Sequence, residues 1–231
     1  MVDKSYYLSK TEFCILTALE EAERFYCFDL DIQKETDGEK IIQSIYQIVK
    51  NGWGYLEGSR LVVCGEMKEL IKEIVQAESM IEICNNPSGK TLCYLGRQLI
   101  LLSAAANDAL RISSQSYDEF LSWLDNVFSL GKPYWKTEEN AQEDIKANEA
   151  LGREKSFLKD GQREELLHRC KAELVIRNVK TGAVSDRYLL IQGVLNLWFV
   201  HTDGENEILW LAPDSDECRR KMQEEWKERS R

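Results

Sequence analysis

The chain has 231 residues, 43% of them hydrophobic with six Trp, and carries a formal net charge of −10. That length is enough for one large domain or two small ones around a real core, and the acidic balance disfavours nonspecific binding to nucleic acid or an anionic membrane. No window approaches the roughly eighteen consecutive apolar residues of a membrane-spanning helix, so none is expected.

In chain order, the first signal is a capping box at Ser9-Lys10-Thr11-Glu12. Phe13, Leu16, Ala18 and Leu19 then recur at helical spacing, which predicts an amphipathic helix over 10–24. A second helix is expected from Glu39 to Lys50, with Ile41, Ile42, Ile45, Ile48 and Val49 on its apolar side and Asn51-Gly52 as its stop. Tyr55-Leu56 and Leu61-Val62-Val63 flank Glu57-Gly58-Ser59 as a hairpin, and a third helix covers 66–77. Strands follow at Met80–Cys84, Leu92–Leu95, Gln98–Ala104 and 110–113, the last two flanking an Asn107-Asp108 turn. This meander closes with a second capping box, Ser116-Tyr117-Asp118-Glu119, and a helix over 117–128.

Composition changes at Gly131-Lys132-Pro133, and residues 136–169 are dense in charge and sparse in apolar groups. They read as solvated helix plus linker: a protruding arm or a plain connection. Strands resume at Ala172–Val179 and Tyr188–Gln192 around the turn Lys180-Thr181-Gly182. Leu197–Thr202 and Ile208–Leu211 flank an Asp203-Gly204 turn, and Asp214-Ser215-Asp216-Glu217 caps a helix running to about Trp226. Hairpin, cap and helix thus occur twice. The expected fold class is α+β: an N-terminal helical, winged-helix-like subdomain and two related antiparallel sheet-plus-helix units. Residues 1–130 would hold the N-terminal helices and first half, 131–170 the arm or linker, and 171–231 the second half, all within one compact domain.

Several constellations resemble sites. Asn86-Pro87-Ser88-Gly89-Lys90-Thr91 ends like a phosphate-binding loop, but Cys84 stands where that loop needs glycine, and Leu92-Cys93-Tyr94 reads as strand where a helix should follow. A hairpin turn is the better reading. Asp29 and Asp31 lack further oxygen ligands nearby, and Asp214 and Asp216 read as helix-capping carboxylates. His168 and His201 have no partner set for zinc, and no Gly-x-Ser-x-Gly accompanies them. No catalytic, cofactor or metal site is expected. Seven Cys without a CxxC read as reduced, mostly buried thiols, and MVDKSYYLSKTE contains no secretory apolar region, so the expected location is the cytoplasm. Residues 1–90 carry ten Lys and Arg against sixteen Asp and Glu, so a winged-helix-like subdomain would favour a protein partner over DNA. Trp198 and Trp210 alternate with apolar neighbours, which makes them candidate partner-binding residues if either faces out of the core.

Three stretches carry a family resemblance: IVKNGWGYLEGSRLVV, LILLSAAANDALRISSQSYDEFLSWL and LNLWFVHTDGENEILWLAPDSDECRRKMQEEW. Their order, helix then hairpin, meander then helix, second sheet then helix, resembles that of the EspG-like chaperones associated with type VII (ESX) secretion. The resemblance implies a pseudo-two-fold α+β fold without enzymatic activity. It further implies a cytoplasmic adaptor that binds a helical secretion substrate and keeps it soluble until export. No residue-level binding motif is carried across. The alternative function is an acidic winged-helix-like transcriptional regulator.

Overall fold

A computed structural model describes residues 5–20, 27, 37–84, 89–129, 156–157, 170–192, 197–203 and 206–212, with residues 220, 222–224 and 226–228 of a closing helix. Strand β1 (Ser5–Ser9) leads into α1 (Lys10–Leu19), followed by α2 (Gly38–Lys50), the hairpin β2 (Gly54–Glu57) and β3 (Arg60–Val63), and α3 (Gly65–Gln76). The first meander is β4 (Ser79–Cys84), β5 (Thr91–Leu95), β6 (Leu99–Ala104) and β7 (Ala109–Gln115), then α4 (Tyr117–Phe128). After β8 (Ser156–Phe157), the second meander runs through β9 (Cys170–Asn178), β10 (Val184–Gln192), β11 (Leu197–Asp203) and β12 (Asn206–Ala212).

Local chemistry accounts for the element ends. Ser9 Oγ accepts from the Glu12 backbone N–H at 3.1 Å while Glu12 accepts from the Ser9 N–H at 2.6 Å, a reciprocal box that satisfies two orphan donors of α1. Ser116 and Glu119 repeat it at α4. Helix α1 is capped at Glu20, while residues 21–24 of its expected extent lie outside the described residues. Asn51 caps α2, and Gly52 follows at φ +72°, a conformation glycine adopts without a Cβ clash. Gly54 is required for a different reason: a Cβ there would sit 2.7 Å from the Val62 carbonyl oxygen.

The two meanders share one sheet. Its ten strands run in the order β1-β7-β6-β5-β4-β9-β10-β11-β12-β8, so the expected second sheet is instead the other half of the first, joined by antiparallel pairing of β4 with β9. Each meander runs outward from this junction. Each is closed by a strand that precedes it in sequence: β1 on β7 and β8 on β12. Both closing strands escaped the sequence reading.

Because paired residues share a face and neighbours alternate, the sheet sorts its side chains cleanly. On the front, Met80, Leu92, Tyr94, Ile100, Leu102, Leu110 and Ile112 pack with Phe13, Leu16, Ile48, Met67 and Ile71 of α1–α3. On the back, Ile81, Ile83, Cys93, Leu101, Leu174, Tyr188 and Leu190 pack with Phe120 and Leu124 of α4 and with Met222 and Trp226 of the closing helix. The two back-face helices meet, with the Phe120 and Trp226 ring centroids 5.7 Å apart.

Candidate functional site

Helix α2 is a two-faced element. Ser44 and Ile48 are buried and Ile41, Ile45 and Val49 half-buried, which accounts for its core side. Ile42, expected in the core, is 70% exposed, and Tyr46, one turn later, is 64% exposed. The correction follows from helical geometry: with Ile41, Ile45 and Ile48 inward, Ile42 lies about 100° round the axis and shares a face with i+4, not with its neighbour. Ile42 and Tyr46 line an open cleft of about 690 Å³ between α2 and the start of α1. Its other walls include Lys10, Lys40, Gln43, Gln47 and Asn107. Asn107 holds the β6–β7 turn at φ 59°, a left-handed conformation that asparagine tolerates. The carboxylate at the α1 end, Glu12, is buried and turned into its capping box.

A second feature lies at the middle of the front face. Glu82, Leu92, Leu102 and Ile112 form one row across the first meander, and Glu173, Leu189, Val200 and Leu209 the matching row across the second. A two-fold through the Ile83–Leu174 pair exchanges the rows, since it carries Glu82↔Val175 onto Glu173↔Cys84. The same operation carries Lys90 onto Arg187, and the ion pairs match: Lys90 Nζ to Glu82 at 3.4 Å, Arg187 Nη1 to Glu173 at 3.0 Å. Arg177 adds to the first pair, its Nε donating to Glu82 Oε2 at 2.6 Å. Strand β5 begins at Thr91, so no helix N-terminus follows Lys90, and the phosphate-loop look-alike supplies an ion-pair partner at the dyad.

Six cysteines are described; Cys27 and Cys93 are buried and Cys14, Cys64, Cys84 and Cys170 half-buried, fewer buried than expected. Burial pushes the Cys93 thiol well up. Burial, reinforced by Glu173 and Glu82, raises Cys84, and burial with Glu173 pushes Cys170 up to about 11. These thiols stay protonated at neutral pH, the opposite of an activated nucleophile.

The tryptophan positions separate. Trp210 pairs with Phe199, which pairs with Leu190, placing position 210 in a back-face row. Trp198 pairs with Leu211 and Ile191, a front-face row. They occupy opposite faces, so one flat surface does not contain both. His201 lies opposite Tyr188 and Ile208. Asp29, Asp31, His168, Gly204, the cap at 214–217 and all of 136–169 except 156–157 lie outside the described residues. Among the described residues no group of three or more His, Cys, Asp or Glu is placed to hold a metal ion, and no helix is long and apolar enough to cross a membrane.

No protein-family model matches the chain, and no curated protein matches it. Among solved structures it is similar to the Mycobacterium tuberculosis type VII secretion system chaperone EspG5, determined in complex with a PE25–PPE41 dimer. The TM-score is 0.53 at 10% sequence identity, and the likeness covers 95% of both chains. At that identity the likeness is one of fold.

Proposed function

We propose that this protein is a non-enzymatic adaptor or chaperone that binds a helical protein, of the class exported by type VII secretion, in the cytoplasm. The observation that carries the reading is the extent of the fold likeness, 95% of both chains, to a protein described as a type VII secretion system chaperone in complex with a PE25–PPE41 dimer. A shared domain within a larger, differently built protein would have left part of one chain unmatched. The two outward apolar residues of α2 and the acidic character of the chain are compatible with a protein partner and disfavour nucleic acid. In this reading residues 1–130 and 171–231 are the two halves of one domain, and 131–170 is the charged arm or linker between them. Of the two candidate tryptophans, Trp198 is the stronger partner contact, because its register position lies on the face away from α4 and the closing helix.

The test is isolation of the tagged full chain from its native host, followed by reconstitution with whatever protein co-purifies. The expected result is a stoichiometric complex with a small helical secreted protein that is less soluble when expressed alone. A co-purifying protein that fails to re-form the complex overturns the reading. So does specific binding of a DNA duplex with steep salt dependence, which would favour the regulator instead.

A further inference from the structure

The two ends of the ten-stranded sheet are finished differently. At one end stands β8, two residues long, and so short a strand offers little to pair with. At the other stands β1, five residues in unbroken register with β7, and among the described residues no strand lies on its outer side. Which of its backbone groups face outward follows from β7. The Ala109 N–H donates to the Ala106 carbonyl, and the Ala109 carbonyl accepts from the Ala105 N–H at 2.7 Å, so Ala109, Arg111 and Ser113 bond toward β6. Leu110 and Ile112 therefore bond toward β1, where they oppose Leu8 and Tyr6. That turns the N–H and C=O groups of Ser5 and Tyr7 away from the sheet. The edge ends at Ser9, whose N–H donates to Glu12 at 2.6 Å and which caps α1. The strand Ser-Tyr-Tyr-Leu-Ser contains none of the charges, prolines or bulges that blunt an edge, and its Tyr7 is 60% exposed.

We infer that β1 pairs antiparallel with β1 of a second copy of this chain, about a two-fold axis at Tyr6. The open groups dictate that register: Ser5 opposes the partner's Tyr7 and Tyr7 the partner's Ser5, each pair exchanging both of its backbone hydrogen bonds. Every outward group of these residues is matched, and the occupied Ser9 N–H is not needed. A seam between identical copies requires a strand that complements itself, and β1 does. The side chains fit the same register. Opposed residues share a face, so the partner's Tyr7 stands beside Ser5. There Arg111 reaches along the edge, its Nε and Nη2 donating to Ser5 Oγ at 3.1 and 2.9 Å, which places its guanidinium within reach of that ring. Tyr6, on the axis, is held by its own chain, its hydroxyl donating to Glu66 at 2.6 Å and its ring edge-on to Trp53. An uncharged strand with a cation beside it is where two chains of net charge −10 approach with least repulsion. One strand pair about 17 Å long is a small interface, so the dimer is weak and concentration-dependent.

Sedimentation equilibrium of the full chain, with no other protein present, tests this independently of the adaptor reading. A reversible monomer–dimer equilibrium is expected, with a Kd on the order of 10–100 μM, tightening as added salt screens the repulsion between copies. Tyr7→Pro deletes an outward N–H on each copy without touching the ladder to β7, and should weaken the dimer at least about tenfold. Tyr7→Lys keeps the backbone intact and sets like charges into the seam, with a similar loss expected. Tyr7 is exposed, so the lysine variant should keep the parent melting temperature, and it decides the matter alone if the proline variant does not. With p-benzoylphenylalanine in place of Tyr7, irradiation should join two copies through the segment from Ser5 to Lys10 of each, mapped by mass spectrometry after trypsin digestion. A chain that stays monomeric up to about 1 mM, a dimer that the lysine variant does not weaken, or a cross-link that maps elsewhere overturns the inference. So does a monomer whose β1 pairs instead with an extended segment of a co-purified protein, a result that leaves the adaptor reading standing.

Discussion

Glu82 and Glu173 occupy equivalent positions beside the dyad, in meanders with matching registers, yet their surroundings differ. Glu82 meets Arg177 at 2.6 Å and Lys90 at 3.4 Å, and its side chain is 11% exposed. Glu173 meets Arg187 at 3.0 Å, its side chain is 23% exposed, and that arginine is half in solvent. A repeated scaffold therefore repeats the backbone and the placement of carboxylates more faithfully than the electrostatics around them. Arg177 belongs to the second half but serves the first, so the dyad is broken by one side chain reaching across the junction. That crossing ties β9 to β4 with more than backbone hydrogen bonds.

The comparison can be broken at its apolar base first. Phe120 of α4 is fully buried and meets Trp226 of the closing helix across the back face. Phe120→Ala is expected to cost about 3–5 kcal/mol in denaturant unfolding. A double-mutant cycle with Trp226→Ala should show coupling of about 0.5–1.5 kcal/mol; zero coupling would mean that the halves are held by the sheet and not by their helices. The electrostatic asymmetry is tested next. Glu82→Gln leaves Arg177 without its carboxylate and is expected to cost about 1.5–3 kcal/mol, whereas Arg187→Ala, at the more exposed pair, should cost at most about 1 kcal/mol. Equal costs would show that burial does not distinguish the two sites.

Smaller effects sharpen the picture at the helix starts. Ser9→Ala and Ser116→Ala each remove a capping-box acceptor and should cost about 0.5–2 kcal/mol, with Ser9 nearer the upper end because the Glu12 side of its box is buried. A midpoint that shifts more for Ser116→Ala reverses that ordering. The smallest effect is a pH dependence. The Ser116 backbone N–H and hydroxyl donate to the Glu119 carboxylate and hold its pKa below the usual glutamate range. A depressed folded-state value means the contribution is complete above the unfolded value of about 4.3 and is lost as pH falls through the folded one. Glu119→Gln should flatten the acid limb of the stability profile slightly and leave its neutral region nearly level; an unchanged acid limb would remove this cap from the acid response.

Capping boxes, turn residues and hydrophobic period are written within a few residues of where they act. That is why the bounds of α4, α2 and the first meander are legible in the chain, and why the repeated order of meander, cap and helix already indicates two halves. Three features had no such local mark. Strand β1 is a five-residue stretch, Ser-Tyr-Tyr-Leu-Ser, whose partner β7 lies a hundred or more residues away at Ser113 to Ala109. Pairing over that separation is decided by closure of the fold, not by propensity. The merger of two meanders into one sheet depends on β4 finding β9, again a long-range choice. The candidate surface escaped for a different reason. A helix with apolar groups on more than one face does not say which face is inward, and Ile42 read as core until the packing of Ile41, Ile45 and Ile48 turned it outward. Likewise, alternation on β11 and β12 indicates that Trp198 and Trp210 stand on strands, but only the register between those strands puts them on opposite faces. Composition and local pattern determined which elements this chain forms. The contacts between distant elements decided which edges close, which faces are covered, and which apolar side chains remain outside.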